Sequence, residues 1–386
     1  MKKFVSIILI VFMLAVMLQS YAKDDSGISI SYDSARETML KNNRTIKSLQ
    51  LAERKAYYQY SSAVQGTKGI NTEGFTTETP YGDMHISFPG DFQILLTKQK
   101  ELYPLSMKYY WDMTNSRKLT TEKALELGLR DLYLGFMKAH RDYDMGLKKL
   151  ELAKKKYNVS KLRFDQGHIS KLEFEEAEYN LTKSQKDMEA AARSKENMLR
   201  TFNSYIGVPI DTGYDKVIYK ELSSGLVLKP VDYYIEKALS ERLEITSLME
   251  EIKLKELHLS ILKKNRANEI YVKIRKEYDD VSRELESLKI KLEKAKLDVE
   301  DDIKSAYIDI KKEGYNVKSM AETLNMQKRS YEKLESQYKQ GLMPRIALDE
   351  MEIGLRELKN GFDLVVYGYN TKLMKLNEAA GIGPAY

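Results

Sequence analysis

The sequence predicts an all-α protein made of two tandem repeats of a long antiparallel coiled-coil helical hairpin, with at most a small β element in residues 66–116. Three observations predict this fold class. Only 7 prolines occur in 386 residues, so long stretches lack the residue that most strongly interrupts helices. Two segments of the chain align with each other without a gap. Apolar residues recur every seven positions in both segments.

Residues 1–22 have the pattern of a secretory signal peptide. Two lysines follow the initiating methionine, an apolar run extends over residues 4–18, and Ser20-Tyr21-Ala22 is a small-x-small cleavage site. The apolar run is shorter than the ~20 residues of a membrane-spanning helix. We therefore expect an exported protein, with an uncleaved N-terminal anchor as the alternative.

The duplication is visible when the sequence is shifted along itself so that Tyr157 lies over Tyr331. Residues 157–167 then lie over residues 331–341, and both segments start with tyrosine and end with Gln-Gly. At the same distance beyond each of these glycines another glycine occurs, Gly207 and Gly381. The spacing predicts that each half folds into the same helical unit.

A weaker similarity, which places Asp33 over Asp232, marks the start of each half. Residues 33–46 resemble residues 232–245 in the positions of their acidic and apolar side chains. The two similarities predict a first repeat over 23–206 and a second over 231–386. A linker at 207–230, rich in glycine and proline, joins them.

A seven-residue apolar row runs along the first long helix of each repeat and predicts a left-handed supercoil. The row of the first repeat is Leu129, Phe136, Tyr143, Leu150, Tyr157 and Phe164, and the matching row of the second is Ile303, Ile310, Val317, Leu324, Tyr331 and Tyr338. Beside the first row another row changes from large residues, such as Leu132, to small ones, such as Gly146. Small side chains let two helix backbones approach closely.

Each half is therefore predicted to contain one helical hairpin. The first rises through about 117–166, turns at Gly167-His168-Ile169-Ser170 and returns through 171–206. The second turns at Gly341-Leu342-Met343-Pro344 and returns through 345–380. Glycine closes the first helix of each pair, and Ser170 or Pro344 opens the next.

The two halves differ in length between their motifs, because more residues separate Ile46 from Gly167 than separate Ile245 from Gly341. The extra length falls in 66–116, an irregular insert rich in glycine and proline. Two weak strands are expected there, at about 69–77 and 84–88, joined near residues 80–83. The second half has no glycine or proline between Pro230 and Gly314, so one continuous helix or two abutting ones are expected from about residue 232.

These residues resemble the TolC-like family of outer-membrane efflux proteins. The aromatic-x-x-Gly turn occurs as Phe164-Asp165-Gln166-Gly167 and as Tyr338-Lys339-Gln340-Gly341, and a Leu…Gly pair closes each half. The resemblance implies a homotrimer whose hairpins line a hollow α-barrel. Members of the family also carry two strand pairs per chain, which form a β-barrel in the outer membrane. Here those strands are expected to be reduced or missing, since only the first half has room for a pair.

The resemblance also implies functional residues. The two turns meet a periplasmic adaptor of an export pump in the inner membrane, and the matching residues are Gly167, His168, Ile169, Gly341, Leu342 and Met343. Carboxylates just beyond the turns face the lumen, where a ring of them favours cations. The matching residues are Glu173, Glu176 and Glu350, whereas Ala347 stands at the fourth position. The alternative interpretation of these carboxylates is ordinary solvated charge.

Other chemistry is not indicated. The chain has no cysteine and only 4 scattered histidines, and it lacks metal-ligand spacings, a phosphate-binding glycine loop and a nucleophile elbow. Its charges of both signs are interspersed at a net charge of +6, which favours solvated helix faces over a nucleic-acid interface. We therefore expect no enzyme activity, no cofactor, no metal site and no nucleic-acid partner.

The function that these observations predict is that of an exported channel subunit for efflux, a passive conduit docked on the adaptor. It is expected in the outer membrane or periplasm, or at the cell surface where no outer membrane exists. The alternative is a helical scaffold of the cell envelope without a pore. Contact with a membrane stays open at this point.

Overall fold

The computed structural model describes residues 29–218 and 227–386, so the predicted signal peptide at 1–22 lies outside the described residues. The elements of the first half are, in chain order, β1 (Ser29–Ile30), α1 (Tyr32–Asn42), α2 (Arg44–Thr67), β2 (Gly74–Thr79), β3 (Gly82–Ser87), α3 (Gly90–Thr97), a π-helical turn (Lys98–Leu102), α4 (Tyr103–Asp165), α5 (Lys171–Ile206) and β4 (Lys216–Val217).

The second half repeats this order without the β-hairpin. Its elements are α6 (Val231–Glu241), α7 (Leu243–Lys263), a 3₁₀ turn (Lys264–Arg266), α8 (Ala267–Ile270), α9 (Val272–Lys339) and α10 (Arg345–Ala379). Helices α1, α2, α4 and α5 of the first half therefore correspond to α6, α7, α9 and α10 of the second.

The predicted all-α fold of paired long helices is confirmed. Helices α4 and α9 have 63 and 68 residues, so each extends roughly 95–100 Å at 1.5 Å per residue. All positions of the two predicted apolar rows are buried or half-buried. Helix α5 covers 171–206 as predicted, and α10 ends at Ala379, just before the predicted position 380.

The helices lie side by side in an order that the contacts define. Helix α4 packs on α2 near its N-terminus and on α5 along the rest, and α9 packs in the same way on α7 and α10. The halves meet where α4 contacts α10 and α7. The order is therefore α5–α4–α10–α9 in one part of the molecule and α2–α4–α7–α9 in the other.

Two of the core clusters lie at equivalent places in the two halves. The first surrounds Tyr133 and Phe202, and the second surrounds Ile303 and Leu373; all four side chains are at most 1% exposed. A third cluster, around Ile261, joins α3 to the turn between α7 and α9. It lies at the end of the molecule farthest from Gly167, which we call the distal end.

The expectation of one continuous helix or two abutting ones from about residue 232 is wrong, because two breaks divide this stretch. Helix α6 ends at Glu241, and α7 ends at Lys263, where the chain reverses so that α7 packs antiparallel to α9. The reversal uses Asn265 and Arg266, both with positive φ (55° and 57°). Asparagine tolerates this conformation better than most residues with a side chain, so the turn needs neither the glycine nor the proline that the prediction required.

The insert at 66–116 is irregular only in its first part. From Gly90 the chain is helical through α3, the π-helical turn and α4. Pro89 and Pro104 suggested breaks, but Pro89 is the N-cap of α3 and Pro104 lies in the first turn of α4. Proline is tolerated at Pro89 because the first backbone N–H groups of a helix have no intrahelical acceptor. Pro104 follows directly on the π-helical turn, where the regular hydrogen-bond pattern is already interrupted.

The two expected strands exist, with shifted limits. Strand β2 begins at Gly74 instead of residue 69, and it pairs antiparallel with β3 through a turn at Pro80-Tyr81. The parallel pairing of β1 with β4 was not predicted. Within the described ranges, no helix combines the length and the apolar character needed to cross a bilayer.

Candidate functional site

The two predicted turns lie at the same end of the molecule. Helices α4 and α10 run antiparallel, and close to the turns Lys155 forms an ion pair with Asp349 (3.2 Å) and Lys156 forms one with Glu350. Gly167 lies shortly after Lys156 in the chain, and Gly341 lies shortly before Glu350. The two turns therefore form one surface, which we call the turn end.

The first turn is a Schellman motif that ends α4. Gly167 has φ 73°, its N–H donates to the Phe164 carbonyl oxygen (2.9 Å), and the His168 N–H donates to the Arg163 carbonyl oxygen (2.8 Å). This pattern satisfies two carbonyl groups that the helix end would otherwise leave without a donor. The left-handed backbone explains why glycine stands there.

The second turn repeats the same geometry in the other half. Gly341 also has φ 73°, its N–H donates to the Tyr338 carbonyl oxygen (2.9 Å), and the Leu342 N–H donates to the Gln337 carbonyl oxygen (2.9 Å). The internal duplication of the sequence thus corresponds to two turns with the same hydrogen bonds.

The side chains that the resemblance assigned to an adaptor are largely accessible. Gly167, His168, Gly341 and Leu342 are exposed, and Ile169 and Met343 are half-buried. Leu342 is 71% exposed, an unusual position for a leucine at the tip of a rigid turn. The surface therefore offers an apolar protrusion from one half and an imidazole from the other.

Different side chains support the two turns from behind. In the first, the rings of Phe164 and Phe174 stack with centroids 4.9 Å apart. In the second, the Arg345 guanidinium lies 5.5 Å from the centre of the Tyr338 ring and pairs with Asp349 (2.7 Å). The turn end therefore has pseudo-symmetry in its backbone but not in its side chains.

Glu173 has a local structural role that the sequence analysis missed. Its carboxylate accepts hydrogen bonds from the Ser170 N–H (2.7 Å) and hydroxyl (2.8 Å), and the Ser170 hydroxyl accepts from the Glu173 N–H (3.3 Å). This reciprocal pair is the capping box that starts α5. The bonds from the Ser170 backbone and hydroxyl lower the pKa of Glu173 below its ordinary value. The Ser-x-x-Glu pattern could have revealed this role.

The other two predicted carboxylates have different surroundings. Glu176 lines an open groove of about 590 Å³ between α4 and α5, together with Glu173, Lys149 and Lys156. Glu350 is exposed and forms the ion pair with Lys156. The three carboxylates are therefore close to one end of the molecule, but Glu173 is engaged in a helix cap and Glu350 in an ion pair.

A row of ion pairs between α4 and α10 joins the two halves, and sequence reasoning did not find it. We call it the ionic seam, and its pairs are Lys123–Glu378, Asp131–Lys375, Arg141–Asp363, Lys149–Glu357, Lys155–Asp349 and Lys156–Glu350. At Asp349, partial burial by itself raises the pKa, but hydrogen bonds from Lys155 and Arg345 outweigh it and hold the pKa below the ordinary value. The pairs join residues in different repeats, so no local pattern indicates them.

An apolar stripe on α9 was also missed. We call it the α9 stripe, and it consists of Ile290, Leu297, Ile308, Tyr315 and Met326, which are between 64% and 71% exposed. Successive members are alternately about two and about three helical turns apart. One short and one long spacing together span 18 residues, which is five whole turns at about 3.6 residues per turn, so the stripe runs straight along the side of α9 that α7 and α10 leave exposed.

Metal chemistry has no obvious place among the described residues. Within residues 29–218 and 227–386, no three His, Asp or Glu side chains lie close enough to hold one ion together. Glu277 is the centre of a small polar cluster, in which its carboxylate contacts His258 Nε2 (2.9 Å) and Lys98 Nζ (2.6 Å). This cluster ties the π-helical turn to α7 and α9 and thus supports the distal end.

Comparisons with known proteins give structural matches only. No protein-family model and no curated protein matches the sequence. The structure is similar to that of CusC, studied for its transmembrane channel formation, with 10% sequence identity over 91% of this chain and 92% of that chain and a TM-score of 0.62. It is also similar to the Campylobacter jejuni CmeC outer membrane channel, with 13% identity over 92% and 86% of the two chains and a TM-score of 0.60.

A third similar structure is the open state of the Neisseria gonorrhoeae MtrE outer membrane channel, with 11% identity over 91% and 89% of the two chains and a TM-score of 0.60. In all three comparisons the similarity extends over most of both chains, so it includes both halves and their order. The chain therefore has the TolC-like fold of these outer membrane channels.

Proposed function

We propose that the chain is one subunit of a homotrimeric, passive export conduit in the cell envelope. The observation that carries this proposal is the α9 stripe, because α9 is a free edge of the helix layer with five exposed apolar residues aligned along one side. Apolar residues that share one side of a helix are the pattern of a helix that packs on a partner. Helix α9 keeps this face while its other sides pack on α7 and α10.

The opposite edge of the layer, formed by α2 and α5, offers a matching surface. Leu51 and Tyr58 on α2 are both 64% exposed, and Leu172 and Tyr179 on α5 are 74% and 66% exposed. Within each pair the residues are seven positions apart, so they share a helix face. An edge that packs on a different edge of the next copy makes a head-to-tail contact, and such contacts form a ring when the rotation between successive copies closes, which the proposal requires after three copies.

The energetic gain from such packing is substantial. Complete burial of one large apolar side chain contributes about 1.5–3 kcal/mol, so the five members of the α9 stripe contribute on the order of 10 kcal/mol to each contact. Association costs about 4–15 kcal/mol in lost translational and rotational freedom for each subunit added. A closed ring of three subunits makes three contacts for two such losses, so closure favours the trimer, and its helix layers would enclose the lumen.

The turn end is the proposed contact with a periplasmic adaptor of an inner-membrane pump. Gly167, His168 and Ile169 would meet it from one hairpin, and Gly341, Leu342 and Met343 from the other. Supporting this role, the backbone geometry of the two turns is equivalent, so one type of adaptor surface can bind both. Glu176 is proposed to face the lumen, where its charge favours cations, whereas Glu173 and Glu350 have the structural contacts described above.

Mass in solution and imaging of the full chain test the conduit. We expect a hollow trimer for the wild type and a monomer for a variant with Leu297→Glu and Ile308→Glu, which places charges in the α9 stripe. A matched control is Leu162→Glu, since Leu162 is also exposed (59%) but lies on α4 outside the stripe. A solid dimer or a monomeric wild type would instead favour the envelope scaffold without a pore.

A further inference from the structure

The β-hairpin at the distal end has an uncovered apolar face. In the antiparallel pairing, Phe75 lies opposite Ile86 and Thr77 lies opposite Met84, so these four side chains share one face. Phe75 and Met84 are each 50% exposed and Ile86 is 38% exposed. The other face is polar, because it presents the pairs Thr76–His85 and Glu78–Asp83.

This apolar face continues beyond the hairpin. The rings of Phe75, Phe88 and Phe92 form a row, with centroid distances of 6.2 Å and 5.3 Å. Across the same end of the molecule, Ile270 and Val272 are also exposed. We call the surface formed by these residues together with Met84 and Ile86 the distal patch. A two-stranded hairpin is marginally stable by itself, so a surface that covers the patch would also stabilise the strands.

Basic side chains cluster on one side of the distal patch, whereas the exposed acidic residues Glu73, Glu78, Asp83 and Asp91 belong to the hairpin and its flanks. The segment 263–276 forms the reversal from α7 to α9 and contains one acidic residue, Glu269, beside six basic ones. The basic residues are Lys263, Lys264, Arg266, Lys273, Arg275 and Lys276, and all six are exposed. We call this set the basic collar.

Hydrogen bonds connect the start of α3, which directly follows the hairpin, to the reversal that carries the basic collar. The Gly90 N–H donates to the Tyr271 hydroxyl (3.2 Å). The Gln93 side-chain amide donates to the Phe88 carbonyl oxygen (2.9 Å) and accepts from the Asn265 amide (3.4 Å). The collar therefore lies beside the distal patch.

From this arrangement we propose that the distal end docks on the surface of a lipid bilayer with anionic headgroups. An apolar face of modest depth with a rim of lysine and arginine is the composition of interfacial membrane anchors. Charge complementarity selects this occupant, because each basic residue near an anionic surface strengthens binding and an apolar partner protein would not need the collar. The strands have six residues each, fewer than the roughly 9–11 of a strand that crosses a bilayer. The hairpin thus lies flat, with Glu78 and Asp83 facing water.

The docking does not depend on the conduit, because every contact in this argument lies within one chain. A variant that fails to form trimers is expected to bind vesicles still, only with lower avidity. Failure of the oligomer test and failure of vesicle binding are therefore separate results.

Vesicle flotation with the full chain tests the proposal. We expect binding to vesicles of phosphatidylethanolamine and phosphatidylglycerol, weak binding to pure phosphatidylcholine, and a decrease with added salt. The double variant Lys273→Gln and Lys276→Gln should bind on the order of twenty-fold more weakly, about five-fold for each lysine. Lys154→Gln with Lys161→Gln, a pair of exposed lysines near the turn end, is the matched control and should bind as the wild type does.

The absence of cysteine from the chain allows a second measurement. An environment-sensitive dye on Met84→Cys should shift to shorter emission wavelength with anionic vesicles, whereas the same dye on Met326→Cys, on the α9 stripe, should not. Equal binding by both lysine variants, or no shift at position 84, would overturn the proposal. Protection of the hairpin amides from hydrogen exchange that increases with protein concentration, without vesicles, would also overturn it, because it would indicate that hairpins of different copies pair with each other.

Discussion

Glu173 stands at a position where the family resemblance expects a carboxylate, and it also caps the start of α5 together with Ser170. The spacing of Glu173 from Gly167 matches a lumenal carboxylate, yet its carboxylate is bound to Ser170. A capping box satisfies donors that a helix start leaves unpaired. A carboxylate engaged in this way has less freedom to meet ions in a lumen.

At the residue scale we predict that Ser170→Ala lowers the free energy of unfolding by about 1 kcal/mol at neutral pH, because α5 loses its N-cap. Glu173 has a lowered pKa in the folded chain, so its contribution is present above the ordinary pKa of 4.5 and is lost as the pH falls through the lowered value. The difference between wild type and variant should therefore narrow in acid. Urea unfolding followed by circular dichroism at several pH values measures it.

Ser194→Ala is the matched control, since Ser194 is exposed in the middle of α5. Alanine is the better helix former there, so we expect equal or slightly greater stability, independent of pH. An equal loss at both positions would show that the cap contributes nothing specific.

At the scale of the elements, the sequence was most informative where the repeat is strongest. The limits of α5 and the turn at Gly167 follow from a heptad row and from capping residues, which are local signals. The break at Arg242 is different. The Arg242 side chain is buried and pairs with Glu244 and with Asp302 (both 2.7 Å), and a pairing with a residue so distant in the chain leaves no periodic trace.

The candidate site was less predictable than the fold, because most of it depends on contacts between residues that are distant in the chain. The turn residues could be found because backbone geometry requires glycine at Gly167 and Gly341. The ionic seam, the α9 stripe and the distal patch depend on which helices become neighbours. From the sequence alone, apolar residues such as Ile290 and Leu297 would be assigned to the core. The structure shows that no other part of the described chain covers them.

The reversal at Lys264–Arg266 gives a prediction for one element. Arg266 holds φ 57°, a conformation that costs roughly 1–2 kcal/mol for a residue with a Cβ. Arg266→Gly should therefore leave the free energy of unfolding unchanged or raise it by up to about 1 kcal/mol, although glycine also loses more entropy on folding. In contrast, Lys263 lies in the last turn of α7, so Lys263→Gly should lower the free energy of unfolding by about 0.5–1 kcal/mol. Thermal unfolding of the two variants in parallel distinguishes them, and a greater loss for Arg266→Gly would contradict this explanation of the turn.

At the scale of the whole molecule, the two halves are held together differently along their length. Near the middle, the buried Arg130 side chain donates to the Thr371 hydroxyl (2.9 Å). The ion pairs of the ionic seam flank this contact and continue from it to the turn end, where Lys155 pairs with Asp349 and Lys156 with Glu350. Exposed ion pairs contribute roughly 0–1 kcal/mol each and are weakened by salt. By comparison, α4 and α5 pack through apolar side chains, and burial of apolar surface does not depend on charge.

This difference predicts that salt separates the two turns without separating the helices of either hairpin. The chain has no cysteine, so spin labels on His168→Cys and Leu342→Cys report the distance between the turns. Between about 0.1 M and 1 M salt the Debye length falls from about 10 Å to about 3 Å, and we expect this distance to lengthen and its distribution to broaden. Labels on Lys161→Cys and Glu178→Cys, both in the first hairpin, should report an unchanged distance.

Charge reversal provides the corresponding test at constant salt. Arg141 and Asp363 form the least exposed pair of the ionic seam, with side chains 15% and 28% exposed and a distance of 3.0 Å. Asp363→Arg places two cations together and should lengthen the distance between the turns, and Arg141→Glu in the same chain should restore it. If the double variant stayed as open as the single one, or if both label pairs responded equally to salt, the ionic seam would not be what joins the two halves at the turn end. A restored distance would mean that opposite charges across α4 and α10, rather than shape alone, set the spacing of the two turns that an adaptor would meet.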